Sequence, residues 1–181
     1  RPRPRDMNIG VFGGTFDPVH YGHLLAAQDA FEQHHLDRVI LLPAAQAPLK
    51  PNEVQSSAEQ RLAMLRVAVE WDKRFEVSDV EVRRGGISFS LDSARHFRSA
   101  YPHDQLFWII GGDQLPKLHL WKGADELARL VEVARDRMVE RYPVFRQRPV
   151  LSRTHVGPPH WEDDPDFDPA WHLVRARLDG G

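Results

Sequence analysis

The sequence predicts an α/β protein: a parallel sheet with helices on both faces, in a single domain. Three observations carry this. Short apolar runs at 9–12, 38–42 and 106–110 alternate with segments of helical periodicity, the pattern of parallel strands joined by crossover helices. Each of these runs stops at a Gly or Pro turn. The 181 residues, 41% of them hydrophobic, suit one core of ordinary size. The layout is Rossmann-like, although the sequence contains neither Gly-x-Gly-x-x-Gly nor a Walker pattern.

The elements follow in order. Residues 9–12 read as a buried first strand. Residues 24–34 read as a helix, with Leu24, Ala27, Gln28 and Phe31 at helical spacing. The β-branched, apolar run 38–42 reads as a second strand, closed by Pro43, and the proline-bearing stretch 43–52 as a loop. Ser57 and Gln60 form a capping-box pattern, so a helix should run from there to about Val69. Alternation over 75–82 predicts a strand, followed by a turn at Arg83-Arg84-Gly85-Gly86. A helix should start at Ser90 or Leu91 and end at Arg98. The strand 106–110 runs into Gly111-Gly112-Asp113, short helices follow at 115–119 and 124–130, and 131–134 forms a last strand despite Glu132. From Met138 the pattern changes: 138–172 is an irregular segment, basic and then acidic, broken by prolines.

Composition excludes several classes. The formal net charge of −2 gives no global basic field for nucleic acid. The absence of Cys excludes disulfides and thiol catalysis and fits a reducing cytoplasm. No window approaches the roughly 20 apolar residues of a membrane span, and no signal-peptide pattern opens the chain. Residues 1–6, beginning Arg1-Pro2-Arg3-Pro4-Arg5, read as a disordered leader, with a basic anchoring arm as the alternative. The ten His lack metal-ligand spacing, so no metal site is expected.

The most informative stretch is Gly13-Gly14-Thr15-Phe16-Asp17-Pro18-Val19-His20-Tyr21-Gly22-His23. Paired glycines after a strand let the backbone approach an anion. A helix start offers N–H donors and a positive dipole end. His20 and His23 fall at i and i+3, on one helical face, where imidazoles supply ring donors and can carry charge near neutral pH. In a parallel sheet the turns after Phe12, Leu42 and Ile110 share the carboxyl rim, where nucleotides bind. Taken singly, Lys50 reads as a solvated loop lysine, Asp113 as a helix N-cap, Trp121 as a core residue, and Arg61 as a surface or ion-pair residue. The stretch from Gly86 to Ser93 reads singly as a turn with an N-cap serine.

The whole string resembles the signature of the His-x-Gly-His nucleotidyltransferases, and within that superfamily it is most similar to bacterial nicotinate mononucleotide adenylyltransferases. Further stretches support the resemblance. Pro48 and Lys50 keep part of the family's Pro-Pro-His-Lys loop, whereas Ala47 and Leu49 depart from it. Ser88-Phe89-Ser90-Leu91-Asp92-Ser93 is similar to Ser-Tyr-Thr-x-Asp-Thr. Gly111-Gly112-Asp113 and Leu118-His119-Leu120-Trp121 are similar to Gly-Ala-Asp and Leu-x-x-Trp. At the carboxyl end, Arg175 matches the arginine of Ile-Ser-Ser-Thr-x-Ile-Arg, while Ala170, Trp171 and His172 do not match the hydroxyl positions. One expectation is that residues are missing before Val174 and after Gly181; the other is a phosphate site that has lost a part.

The resemblance implies transfer of AMP from ATP to nicotinate mononucleotide, with Mg²⁺ on the phosphates and no strong general base. It implies catalytic roles for His20, His23 and Lys50. ATP would be held by Gly13, Gly14, Thr15, Phe16, both histidines, Gly111, Asp113 and Arg175. The pyridine mononucleotide would be held by Thr15, Lys50, Ser90, Trp121 and Arg135, with Trp121 stacked on its ring. The alternatives are a His-x-Gly-His transferase acting on nicotinamide mononucleotide, phosphopantetheine or a small alcohol phosphate, and a non-catalytic nucleotide-binding domain. A homo-oligomer is compatible with the sequence.

Overall fold

The computed structural model describes residues 6–48, 56–111 and 115–135, with backbone alone at 115–117 and 135. The segment 138–172 and all but Asp6 of the leader lie outside the described residues. Five parallel strands, β1 (Asn8–Gly14), β2 (Arg38–Pro43), β3 (Phe75–Val77), β4 (Gln105–Ile110) and β5 (Glu132–Arg135), form one sheet in the order β3-β2-β1-β4-β5. The helices are α1 (Tyr21–Gln33), α2 (Ala58–Val69), α3 (Val80–Arg84), α4 (Ser90–Ala100) and α5 (Ala124–Leu130), with a 3₁₀ turn at Leu115–Leu120.

Alternate residues of each strand enter opposite faces of the sheet. Ile9, Val11, Ile40, Leu42, Leu106, Trp108 and Ile110 pack against Leu91, Ala94 and Phe97 of α4 and Leu127 of α5. Val39, Leu41, Phe107 and Ile109 pack against Ala27 and Ala30 of α1 and Leu65 and Val69 of α2. Helices therefore cover both faces, and β1 and β4 are apolar on both sides, as buried parallel strands are. Among the described residues no helix is long and apolar enough to cross a membrane.

Two expectations are corrected. The run 75–82 is not one strand: β3 ends at Val77 and α3 begins at Val80. Ser78 N–H makes the last contact with β2, donating to the Leu41 carbonyl at 2.9 Å. Asp79 then pairs with Arg83 one helical turn on, at 2.9 Å, so apolar alternation there conceals a helical turn. Gly85, at φ 68° and ψ 179°, occupies a region essentially reserved for glycine and ends α3. The second correction concerns α1, which starts at Tyr21 rather than Leu24, so that both histidines belong to its first turn.

The sheet order reverses at β1. The chain proceeds from β1 to β2 and β3 on one side, then crosses to β4 and β5 on the other. A crevice at the carboxyl ends of β1 and β4 follows from that reversal, and is where such sheets bind ligands.

Candidate active site

Gly13 and Gly14 are the last two residues of β1 at this switch point, paired with Leu42 and Pro43 of β2, so the strand runs on through the glycines that were expected to turn after Phe12. The two glycines differ in why they are glycine. A Cβ on Gly14 would press on the Phe16 ring at 3.0–3.3 Å. A Cβ on Gly13 would meet only Trp108, at an ordinary 3.7 Å, and Gly13 has no positive φ. The fold does not require glycine at Gly13, which leaves close approach of a ligand as its use. Phe16 is 1% exposed and has φ 52°, a left-handed conformation that is unusual for an aromatic residue and clusters at functional sites. Its ring packs edge-on against Phe12 at 5.6 Å and against His23 at 4.9 Å.

His20 is the N-cap of α1 and His23 lies one turn in. Their rings stack at 3.7 Å with an angle of 26° between the planes. The His20 main-chain N–H donates to Nδ1 of His23 at 3.3 Å. An accepting Nδ1 leaves the proton of a neutral ring on Nε2, so His23 offers Nε2–H as a donor. Burial lowers the His20 pKa to about 4, offset in part by a hydrogen bond between the ring and the residue's own backbone. Burial also pushes the His23 pKa well below its ordinary value, and the neighbouring His20 pushes it further. Of the two possibilities for these rings, donor and cation near neutral pH, the second is corrected for the free chain: burial keeps both neutral there, with ring N–H groups that can donate.

The other expected residues divide clearly. Thr15 and Gly111 are half-buried on the same rim, at the ends of β1 and β4. Arg135 ends β5 opposite Ile110, which puts its backbone on that rim; its side chain lies outside the described residues. Ser90 is the first residue of α4, whose N-cap is Phe89, so the serine cap expected for this turn is not what starts the helix. Trp121 is half-buried and packs against the α4–α5 core, and Lys122 sits over the Phe89 ring at 4.3 Å. Lys50, Gly112, Asp113 and Arg175 lie outside the described residues. Among the described residues no three His, Asp or Glu side chains gather as a metal-ligand group.

The loop after β2 ties this turn to the 86–93 segment. Ala44 N–H donates to the Gly14 carbonyl at 2.9 Å, Ala45 N–H to the Ser88 hydroxyl at 2.9 Å, and Ser88 N–H to the Gln46 carbonyl at 2.9 Å. Ser88 and Ser93 both hydrogen-bond the Glu81 carboxyl, whose pKa burial raises. Sequence reasoning missed one residue here. Arg61 is not on the surface: it is 2% exposed, and its guanidinium donates to the carbonyls of Thr15 and Ala45. The available signal was its place on the α2 stripe Arg61, Leu65, Val69, where every other member is apolar.

The profile of the cytidylyltransferase-like family matches residues 11–156. The chain is 71% identical over 126 residues to a protein of Opitutus terrae named "Probable nicotinate-nucleotide adenylyltransferase", a match covering 70% of this chain and 65% of that one, just under two thirds of the relative's length. A protein of the same name from Aquifex aeolicus is 40% identical over 134 residues, covering 72% of this chain and 79% of that one. Among solved structures, Plasmodium falciparum nicotinic acid mononucleotide adenylyltransferase complexed with NaAD superposes with a TM-score of 0.58 at 12% identity, over 71% of this chain and 74% of that one. At that identity the likeness is one of fold.

Proposed function

The chain belongs to the cytidylyltransferase-like family, and from that premise we propose that it transfers AMP from ATP to nicotinate mononucleotide, releasing pyrophosphate and forming nicotinate adenine dinucleotide. The observation that carries this is the stacked His20–His23 pair at the start of α1, following the Gly13–Gly14 end of β1 at the sheet's switch point. The names of the Opitutus and Aquifex relatives support the choice of substrates.

A 5′-phosphate oxygen of the mononucleotide attacks the α-phosphorus of ATP. The new P–O bond forms as the bond to the pyrophosphate oxygen breaks, and pyrophosphate leaves with the electron pair. The nucleophile is already anionic, so alignment and charge stabilisation are the protein's task. His23 donates from Nε2–H, and His20 from beside it, to phosphate oxygens that gain charge in the transition state. Gly13, Gly14, Thr15 and Phe16 bring the backbone close. Lys50 and Arg175 add positive charge, and Gly111 and Asp113 meet the adenosine side. Ser90, Trp121 and Arg135 meet the pyridine nucleotide. ATP enters as its Mg²⁺ complex, the ion riding on the phosphates. Such a step in dinucleotide synthesis belongs in the cytoplasm.

The test supplies Mg²⁺-ATP with nicotinate mononucleotide or with nicotinamide mononucleotide and follows pyrophosphate and dinucleotide. The nicotinate form should be preferred. His23→Ala should lower turnover about a hundredfold or more while the fold persists, the scale of losing a preorganised donor. Near-normal turnover in that variant would defeat the assignment, and ATP binding without pyrophosphate release would favour a non-catalytic domain.

A further inference from the structure

A buried arginine joins the two halves of this site. Arg61 lies on α2 among Leu62, Leu65 and Val69, where an apolar side chain would serve packing at least as well. Burying a guanidinium costs desolvation energy, and burial lowers the Arg61 pKa against the attraction of Asp17 and Glu59. What the residue gains is a set of three carbonyls from three segments. Nη1 donates to Thr15 at 2.7 Å, Nη2 to Ala45 at 3.1 Å and Nε to Ser56 at 3.3 Å. Thr15 belongs to the phosphate turn, and Ala45 to the loop held on its other side by Ser88. Phe16, the left-handed residue, directly follows the Thr15 carbonyl that Arg61 grips. A planar fork can hold several carbonyls at a fixed spacing, whereas an ammonium is a point donor on a flexible stem.

We propose that Arg61 is a positioning residue for the transfer step: it fixes the separation between the Thr15 turn and the Ala45–Ser88 loop, and through them the distance between ATP and the mononucleotide. Arg61 touches neither substrate in this scheme. Because the proposal rests on the adenylyl-transfer reading, the experiment separates the two. The full chain and Arg61→Lys are compared for kcat, for binding of each substrate alone by calorimetry, and for thermal unfolding. Arg61→Lys should lose on the order of tenfold to a hundredfold in kcat, the cost of a small misplacement of reacting groups, while each substrate alone binds within about threefold of wild type. Added guanidinium ion, kept well below denaturing concentration, should restore part of the kcat per folded molecule of Arg61→Ala; a purely structural role would instead change the folded fraction and leave that quantity as it was. If Arg61→Lys fails to fold, Ser88→Ala, which releases the same loop from its other side, should show the same split between kcat and binding at smaller size. An active wild type with unchanged kcat per folded molecule in Arg61→Lys, or in Ser88→Ala where that variant stands in, overturns the proposal. A wild type without transferase activity removes the reading beneath it, and the proposal falls with it.

Discussion

Lowering the pH should destabilise this protein through His20, by an amount that the depressed pKa fixes. The ring has an ordinary value of 6.5 in the unfolded chain and about 4 in the folded one. Between those values the unfolded state binds more protons, so stability rises with pH across that window and falls as acid is added. At about pH 5.5, roughly nine in ten unfolded rings but only about one in thirty folded rings are protonated. The difference amounts to about 1.4 kcal/mol of stability lost relative to about pH 8, rising to about 3.4 kcal/mol once the pH is below the folded value. His23 shifts in the same direction and adds to the loss. Glu81 works the other way, because its raised pKa favours the folded state as its carboxyl protonates.

The assay is urea unfolding of the wild type and His20→Gln at about pH 8 and about pH 5.5, the windows where the linkage is absent and strong. Glu81 is present in both proteins and cancels in the comparison. The His20 main-chain N–H survives the substitution, so the bond to His23 Nδ1 is retained. His20→Gln should lose at least about 1.4 kcal/mol less than the wild type over this interval, roughly a tenfold difference in the folding constant. It should lose slightly less still, because removing His20 takes away one cause of the His23 shift. Parallel pH dependences in the two proteins would show that the His20 ring is not held neutral by burial.

The remaining expectations concern local packing. Gly10→Ala places a Cβ 2.7 Å from Leu36 Cδ1 and 2.9 Å from Ile109 Cδ1, and should cost about 1–3 kcal/mol in urea unfolding, as overpacking does. Gly13→Ala should change stability by less than about 0.5 kcal/mol yet weaken ATP binding measured by calorimetry, since only Trp108 at 3.7 Å meets the added methyl; unaltered ATP affinity would remove the close-approach role. Ser57→Ala removes the acceptor of Gln60 N–H at 3.2 Å and should cost about 1 kcal/mol without changing the denaturant slope.

Legibility in the sequence tracked how local each signal is. The capping box of Ser57 and Gln60 is written in neighbouring residues, and α2 starts where it says. The span of α5 was equally readable, because capping residues and period act over a few positions, whereas β1 runs on to Gly14 through the glycines read as its turn. The β3–α3 boundary was read past: Phe75 and Val77 alternate, and so do Val80 and Val82, but the step of three between Val77 and Val80 breaks the phase, and the switch there is made by contacts of Ser78 with β2 and of Asp79 with Arg83. The charge state of the histidines was also out of reach. Spacing places His20 and His23 on one face, but only tertiary burial decides that they are neutral. Arg61 was misread for the same reason: a helix arginine has a surface default, and nothing local reports carbonyls contributed by Thr15 and Ala45.

Taken together, these two corrections change where buried charge sits beside the β1 end: on Arg61 and not on the histidines. Of the two roles the sequence left open to the histidines, ring donor and cation, burial leaves the donor, in a desolvated setting where a neutral hydrogen bond is stronger than in water. The arginine, expected to face solvent, is a cation buried beneath the turn. A fixed donor needs no reorganisation when a phosphate oxygen gains charge, which is the condition for favouring the transition state over bound ATP. A mobile surface cation would attract both states nearly alike and so improve binding more than rate. On the adenylyl-transfer reading proposed above, the stacked neutral rings and the clamped Thr15 carbonyl would serve one design: donors preset for the reacting phosphate, beside a backbone segment held in place by Arg61.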